Sequence, residues 1–337
     1  MTHSLLLVNG YIHSTSEPYA NALHIDNSVI AWLGADDTAQ QMVAATSHGP
    51  VTTHDLYGML VTPAFVDGFS TVPLRSHDAR ASLSTTMPTE SGVYYAPLAV
   101  SSEQADGIFV AVEELDQLNT VLEQLKPPTQ LLIESRGPHD LDDIFTVMVQ
   151  QPNAALMRCR HRILLNHEIT DEQVESLVER HLSVTVVPEP SGDTPVFRAP
   201  IAKLITGGVH VAIGSGAWAG SMWELLTALI EHPDPTQRVS TRAAFNTVAR
   251  DGIRVLPSRI AQARMGAGQI AVGSPADLNI WRAEQLGVQA PDEKAAHWST
   301  DKRAGTALLP ILSSAENAPV LGAIIRDGQL LSFPPDA

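Results

Sequence analysis

Apolar residues follow two different patterns along the chain, which predict two kinds of structure. Near the amino end, short apolar runs alternate with turn signals such as Asn9-Gly10, and this predicts a series of short antiparallel strands over residues 1–58. One short helix is predicted near residues 38–45. Short strands return towards the carboxyl end, at residues 268–281 and 320–329. Both ends of the chain therefore predict small β-structures.

The middle of the chain alternates β-rich runs with amphipathic helices. Strands are predicted at residues 60–67, 93–100, 108–112, 131–134, 163–167, 184–187 and 209–213. Helices are predicted at residues 115–125, 141–149, 171–181, 200–205, 223–230 and 241–250. Alternation of this length predicts parallel pairing. The pattern alone fits either a barrel with one further strand or a doubly wound open sheet.

Residues 72–91 interrupt this alternation. They are rich in Ser, Thr and Arg and show neither the helical nor the strand period. A loop of this length is unusual inside a compact domain. We interpret it as the remnant of a shortened strand–helix unit, with a mobile lid as the alternative.

Composition excludes several classes of protein. The chain has 337 residues, of which 44% are apolar and 17% charged, as expected of a well-packed globular protein. Its net charge of −16, without a cluster of Lys and Arg, argues against nucleic-acid binding. Cys159 is the only cysteine, so neither an intrachain disulfide nor a thiolate zinc site is expected. The amino end lacks signal-peptide and membrane-span features, so we expect a cytoplasmic protein without membrane contact.

The sequence Leu60-Val61-Thr62-Pro63-Ala64-Phe65-Val66-Asp67-Gly68-Phe69-Ser70-Thr71 resembles the first barrel strand of the amidohydrolase superfamily. In that strand the aspartate is followed by two alternate histidines that bind the catalytic metal. The preceding Asp55-Leu56-Tyr57-Gly58 and the later segment 268–281 also resemble this superfamily, in particular its cytosine deaminase and imidazolonepropionase branches. The chain is therefore identified as similar to these metal-dependent hydrolases.

The resemblance implies an α/β fold with a TIM-type (β/α) barrel and a small β-sandwich domain built from both chain ends. The expected composite β-sandwich comprises residues 1–58 and 257–337, and the expected barrel comprises residues 59–256. The short distance from Thr71 to the later motifs leaves a truncated barrel open.

The resemblance also locates the metal ligands, most of which are missing. Phe69 and Thr71 stand where the histidine pair is implied, and Gly216 stands where the last strand would supply an aspartate. No histidine stands near Glu134, where the first later one is implied, and His167 alone matches the second. Because one imidazole does not hold zinc, we expect no cofactor. The alternative is one divalent ion (Zn, Mn or Mg) in a rebuilt site.

Several residues near the predicted strand ends are candidates for chemistry. The catalytic candidates are Asp67, Glu134 and His167, and the pocket candidates are Phe69, Thr71, Glu189, Ser215, Gly216 and Trp218. Asp67, Glu134, His167 and Glu189 would supply the ligands of a rebuilt metal site.

Each candidate also has a plainer interpretation. Asp67 would cap the turn before Gly68, Glu134 would pair with Arg136, and Glu189 would only bound a loop. His167 would be a hydrogen-bonded core residue. The glycine-rich segment 214–220 could hold an anion on backbone N–H groups, but a loop widened by loss of the aspartate is the favoured interpretation.

Two functions follow. The favoured one is a non-catalytic, ligand-binding homologue of the amidohydrolases. The alternative is a divergent enzyme that hydrolyses a C–N bond of a cyclic amide or amine, with a rebuilt metal site or with Glu134, His167 or Glu189 as acid and base. The expected partners are a small-molecule ligand and a second copy of the chain in a homodimer.

Overall fold

The structure is a computed structural model, and it divides the chain into two compact units. The first comprises residues 1–65, 240–242 and 264–337, and the second comprises residues 66–239 and 243–263. The structure describes residues 4–47, 49–71, 82–86, 93–98, 105–126, 128–189, 192–289, 298–299, 307–312 and 317–332. In this described part, no helix is both long and apolar enough to cross a membrane.

The described strands and helices are numbered in chain order. The strands are β1 (Ser4–Val8), β2 (Tyr11–Ile12), β3 (Ala22–Asp26), β4 (Val29–Gly34), β5 (Val51–Asp55), β6 (Leu60–Pro63), β7 (Phe65–Ser70), β8 (Ser82–Thr86), β9 (Val93–Pro97), β10 (Gly107–Val110), β11 (Gln130–Ser135), β12 (Arg162–Leu165), β13 (Ser183–Val186), β14 (Val211–Ile213), β15 (Leu278–Arg282), β16 (Leu286–Gln289), β17 (Trp298–Ser299), β18 (Leu309–Pro310), β19 (Val320–Arg326) and β20 (Gln329–Ser332). The α-helices are α1 (Asp36–Thr46), α2 (Leu118–Gln124), α3 (Pro138–Met148), α4 (Asn153–Cys159), α5 (Asp171–Glu179), α6 (Ile201–Thr206), α7 (Met222–Ile230), α8 (Thr241–Val248), α9 (Arg250–Arg254) and α10 (Ser258–Ala263).

The first unit contains two larger sheets that share an apolar core. Their strand orders are β4-β3-β1-β5 and β2-β6-β15-β19-β20, and a third small sheet has the order β17-β16-β18. Leu7 and Ile25 of the first sheet belong to the same buried cluster as Val61 and Ile280 of the second. Strands from both ends of the chain therefore bury one set of side chains.

Two details of this unit differ from the prediction. Strand β5 pairs with β1 in parallel, so the expectation of only antiparallel strands was wrong. Helix α1 separates β4 from β5 and provides the longer connection that a parallel pair needs. In addition, Leu60–Pro63 pairs with β15 of this unit, and the sheet of the second unit begins with β7.

The second unit is built on a sheet of eight strands in the order β14-β13-β12-β11-β10-β9-β8-β7. Neighbouring strands from β8 to β14 are parallel, as the strand–helix alternation predicted. Beyond the two outermost strands, Gly216 donates its N–H to the Phe69 carbonyl and Thr71 donates its N–H to the Gly216 carbonyl, each over 2.8 Å. These bonds join the carboxyl end of β7 to the segment that follows β14.

Strand β8 lies within residues 72–91, where the sequence shows no strand period, so this strand was missed. Its sequence, Ser-Leu-Ser-Thr-Thr, has one apolar residue and therefore no visible strand period. The remaining residues of that stretch, 72–81 and 87–91, lie outside the described part of the chain.

Two helix starts are held by side-chain acceptors. The Thr170 hydroxyl accepts the Gln173 N–H over 3.2 Å and is the N-cap of α5. The N-cap of α3 is Gly137. Asp140 accepts the N–H groups of Arg136 and Gly137, over 2.8 and 3.0 Å, from inside the first turn.

Candidate functional site

Asp67 links the first strand of the sheet to the segment after the last. Its Oδ1 accepts the Ser215 N–H over 2.8 Å, and its Oδ2 accepts the Ser215 hydroxyl over 2.6 Å. Oδ1 also accepts the Phe69 N–H over 3.3 Å, which is the turn-capping contact predicted from sequence. Asp67 is buried, with an exposed fraction of 1%. The carboxyl group is therefore held by two separate chain segments.

Burial raises the pKa of Asp67 from 3.8 to about 6. The hydrogen bonds from Ser215 and Phe69 and the charge of Arg162 favour the ionised form and partly oppose this rise. An acid with such a pKa exchanges its proton close to neutral pH, which is the range useful for acid–base chemistry.

Arg162 is a buried charge that the sequence analysis missed. It is the first residue of β12 and is fully buried. Its Nη1 donates to the Gly68 carbonyl over 2.9 Å, and its guanidinium carbon lies 5.2 Å from the centroid of the Tyr95 ring. Burial lowers the pKa of Arg162. The charged residue that opens an otherwise apolar run, Arg162-Ile163-Leu164-Leu165, was the signal available in the sequence.

Phe69 and Thr71, at the implied positions of the histidine pair, both have packing roles. The Phe69 ring stacks on Phe109 with centroids 5.8 Å apart and planes 14° apart. It belongs to a buried apolar cluster that includes Leu132, Leu164 and Val187. The Thr71 hydroxyl donates to the Gly216 carbonyl over 3.0 Å.

Gly216 adopts a left-handed backbone conformation, with φ +57°. A β-carbon at this position would lie 3.2 Å from Cβ of Val187. The position implied for the last metal ligand is therefore a glycine in a conformation that other residues rarely adopt.

Both ring nitrogens of His167 are engaged. Nδ1 lies 2.8 Å from the Glu168 carbonyl and Nε2 lies 2.8 Å from the Ser135 hydroxyl. Because a carbonyl only accepts, we assign the proton to Nδ1. Nε2 then accepts from the Ser135 hydroxyl, which has the Gly137 carbonyl as a second, more distant acceptor at 3.2 Å. Burial lowers the pKa of His167, which favours this neutral form. The geometry matches the interpretation of His167 as a hydrogen-bonded core residue.

The two candidate glutamates are held by arginines. Glu134 accepts from Nε and Nη2 of Arg136 over 2.9 and 3.1 Å, which is the pairing predicted from sequence. It also accepts the Val112 N–H over 3.3 Å. Glu189 is paired with Arg198. Neither carboxylate contacts Asp67 or Ser215 through a hydrogen bond within the described residues.

Trp218 lies in the loop that follows Gly216. Its backbone N–H donates to the Ser215 carbonyl over 2.8 Å. Its indole Nε1 is buried and has no hydrogen-bond acceptor in the described part of the chain. The structure thus brings five candidates together, namely Asp67, Phe69, Thr71, Ser215 and Gly216, with Trp218 beside them in sequence.

The donor set does not fit the metal site implied by the resemblance. Within the described ranges, no three His, Cys, Asp or Glu side chains come together in a way that could hold a metal ion. The Nε2 atom of His167 already accepts a hydroxyl, and the positions of Phe69, Thr71 and Gly216 offer no side-chain ligand of the expected type.

Comparison with known proteins gives structural matches only. No protein-family model matches the sequence, and no curated protein matches it. An adenosine deaminase from Xanthomonas campestris with bound zinc matches with a TM-score of 0.63 and 13% identity, covering 98% of this chain and 93% of the deaminase. An N-isopropylammelide isopropylaminohydrolase from Burkholderia multivorans matches with a TM-score of 0.61 and 13% identity over 98% of both chains. An uncharacterised metal-dependent hydrolase from Pyrococcus furiosus matches with a TM-score of 0.61 and 12% identity, covering 82% of this chain and 98% of the hydrolase.

These neighbours are amidohydrolase-superfamily proteins, so the chain has the fold of that superfamily. The resemblance predicted from residues 55–71 and 268–281 is confirmed at the level of the fold. At these identities the similarity defines the architecture and leaves the activity to the residues of the site.

The raised pKa of Asp67 predicts a specific pH dependence of stability. An acid whose pKa is higher in the folded than in the unfolded state binds its proton more tightly when folded. Its contribution to stability therefore rises as the pH falls from about 6 towards 3.8, and is constant above that range. Between pH 7 and 4.5, we expect the wild type to gain about 2 kcal/mol relative to Asp67→Asn.

Urea unfolding of both proteins at the two pH values measures this difference. His161 also titrates, because burial lowers its pKa to about 4, but it contributes equally to both proteins. A constant difference between the two proteins across this pH range would show that Asp67 has an ordinary pKa.

Proposed function

We propose that this protein is a non-catalytic, ligand-binding homologue of the amidohydrolases. The observation that carries the proposal is the packing of Phe69. Its ring lies in a buried apolar cluster and stacks on Phe109, at the position where the resemblance implies a metal-binding imidazole. An aromatic ring in this place provides no ligand and takes up interior space.

The other positions of the implied metal site support the same proposal. Gly216 has no side chain, and the Thr71 hydroxyl is used by the Gly216 carbonyl. His167 has both nitrogens in hydrogen bonds. Each former ligand position has thus acquired a structural role, which argues against the accidental loss of one residue.

We also infer the finer architecture. The hydrogen bonds between Gly216 and residues 69 and 71 support closure of the eight-stranded sheet into a (β/α) barrel. The shared core of the two larger sheets in the first unit supports a β-sandwich made from both chain ends.

The proposed ligand is a small molecule bound at the carboxyl ends of the strands, where sites of parallel α/β folds lie. Trp218 favours this location, because its buried indole N–H is available as a hydrogen-bond donor. Its aromatic ring would also give contact area to a ring-shaped ligand.

Metal content and ligand-induced stabilisation test this function. Protein purified without added metal is expected to contain only substoichiometric zinc, iron and manganese, and His167→Ala is expected to leave those amounts unchanged. In a thermal-shift screen of cyclic amides and amines, at least one compound is expected to raise Tm saturably. Trp218→Phe, which keeps a ring and loses the N–H, is expected to weaken that effect.

A stoichiometric metal that disappears in His167→Ala would overturn the non-catalytic function. The Ser135→Ala variant is a useful control, because it frees Nε2 of His167 while leaving the imidazole in place. If His167 held a metal, Ser135→Ala would retain it.

A second function, hydrolysis of a C–N bond in a cyclic amide or amine, is favoured by one observation. Asp67 combines a pKa of about 6 with a hydroxyl, that of Ser215, at 2.6 Å. The carboxylate would act as the base on Ser215 or on a water in its place. The other acid–base candidates are less suited, because Glu134 and Glu189 are paired with arginines and His167 is fully hydrogen-bonded.

Turnover of any compound in the same panel distinguishes this function. If the second function holds, activity would rise with pH around 6 and would be lost in Asp67→Asn. Ser215→Ala would abolish activity if the serine is the nucleophile and would retain some if a water takes its place. The non-catalytic function predicts stabilisation without turnover.

A further inference from the structure

Two buried polar side chains in the second unit have unfilled hydrogen-bonding groups. Arg162 is fully buried, and its Nε and Nη2 atoms have no acceptor in the described part of the chain. The hydroxyl of Thr185, also fully buried, has no partner there either. Buried donors are nearly always paired, so such groups call for an explanation.

Both of these side chains lie close to Gly68. Arg162 donates from Nη1 to the Gly68 carbonyl over 2.9 Å. The Thr185 methyl carbon is 2.9 Å from the position that a β-carbon on Gly68 would take. Arg162 is also aligned with Ser183 in the parallel pair β12–β13, which places Thr185 two residues further along the same face. The unfilled donors therefore share one region of the interior.

Nearby acceptors are already committed. The Asp67 carboxylate accepts from Ser215 and Phe69, and its charge favours the charged form of Arg162. Tyr95 presents its ring to the guanidinium, and its hydroxyl donates to Gln130 while its oxygen also favours the charged form of Arg162. The Gly68 carbonyl accepts its hydrogen bond from Nη1 of Arg162 and not from the Nε–Nη2 edge.

The unfilled atoms have a specific geometry. Nε and Nη2 form one edge of a guanidinium, with two parallel N–H bonds that match the two oxygens of a carboxylate. A hydroxyl beside that edge would supply a third donor. A small planar oxyanion would satisfy all three and would balance the buried positive charge.

We propose that the second unit contains an internal carboxylate-binding site formed by the Nε–Nη2 edge of Arg162 and the Thr185 hydroxyl. Because both side chains are fully buried, the carboxylate group itself is the part that binds there, and formate is its smallest probe. This site is independent of the proposed ligand at the strand ends, because it uses none of the residues assigned to that ligand.

Thermal unfolding of the full chain in sodium formate tests the proposal. Sodium morpholinoethanesulfonate, whose anion is bulky, replaces sodium formate at each step so that the ionic strength stays constant. The wild type is expected to show a saturable rise in Tm with formate, and Arg162→Met is expected to lose the saturable part. Arg158→Met is the matched control, because Arg158 is exposed and its side chain donates to the Ala154 carbonyl of its own helix. It should respond as the wild type does.

Thr185→Val separates an anion site from a chance unpaired hydroxyl. Valine has nearly the same shape and removes only the hydrogen-bonding group. We expect the apparent formate affinity to fall about fivefold to tenfold, while Tm without formate stays the same or rises. If Arg162→Met does not fold, Arg162→Lys replaces it, since lysine keeps the charge and loses the paired edge.

The proposal is overturned if formate has no saturable effect on the Tm of the wild type. It is also overturned if Arg162→Met responds to formate as the wild type does. Where Arg162→Lys has to replace Arg162→Met, the proposal is overturned if Arg162→Lys and Thr185→Val each respond as the wild type does. A parallel titration with butyrate identifies the source of the carboxylate. Binding of formate alone supports a free small anion, and equal binding of both supports the carboxylate group of a larger molecule.

Discussion

Replacing Asp67 with alanine is expected to destabilise the protein by about 3 kcal/mol at pH 7. The substitution removes the acceptor for the Ser215 N–H, the Ser215 hydroxyl and the Phe69 N–H, all of which stay buried. It also removes the negative charge that acts on the buried Arg162. The loss of these interactions outweighs the relief gained by no longer burying an ionised carboxylate.

Denaturant unfolding, followed by a probe of the second unit such as near-ultraviolet circular dichroism, measures this loss. Asp67→Asn is the matched control, since its amide oxygen can still accept from the backbone N–H groups. It should lose clearly less free energy of unfolding than Asp67→Ala. In a double-mutant cycle, Asp67→Ala and Ser215→Ala are expected to be strongly non-additive. Additive effects would mean that the hydrogen bonds between these residues contribute little to the free energy of unfolding.

Much of the fold could be predicted from sequence because its signals are local. The strands around residues 131–134 and 163–167 are apolar runs, and Thr170 with Gln173 forms a capping pair within four residues. Strand β8 could not be predicted, because its five residues contain one apolar side chain. Its place in the sheet follows from pairing with β9, which is a tertiary interaction.

Some features of the candidate site could likewise be predicted from the sequence, and others could not. That Phe69, Thr71 and Gly216 stand where the resemblance implies metal ligands was visible from the spacing of a known motif. The link between Asp67 and Ser215 was not, because these residues are 148 positions apart and meet only when the outermost strands do. Arg162 was overlooked for a related reason, since its main contact, the Gly68 carbonyl, is 94 positions away.

These long-range contacts hold together the ends of the two outermost strands. At the carboxyl end of β7, Thr71 and Phe69 exchange backbone bonds with Gly216, and the side chain of Asp67 fixes Ser215. A metal ion would otherwise tie ligands from different strands together at such a position. In this chain, hydrogen bonds and aromatic packing provide the connection between these strands.

The close approach of the two segments makes Gly214 critical, and Gly214→Ala is expected to destabilise the protein by about 2–3 kcal/mol. A β-carbon at residue 214 would lie 2.6 Å from the Phe69 nitrogen and 2.7 Å from the Phe69 oxygen. Both are backbone atoms, so the segments must separate, and the bond from Gly216 to the Phe69 carbonyl would weaken with them.

Gly137→Ala is the matched control, because nothing lies within 4 Å of its added β-carbon. It should cost less than about 1 kcal/mol, from the weaker N-cap preference of alanine. Denaturant unfolding compares the two variants, and hydrogen exchange at the Gly216 amide reports locally on the junction. Exchange at that amide should accelerate in Gly214→Ala and stay unchanged in Gly137→Ala. Equal costs for the two variants would show that β7 and the segment after β14 do not approach as closely as the structure indicates.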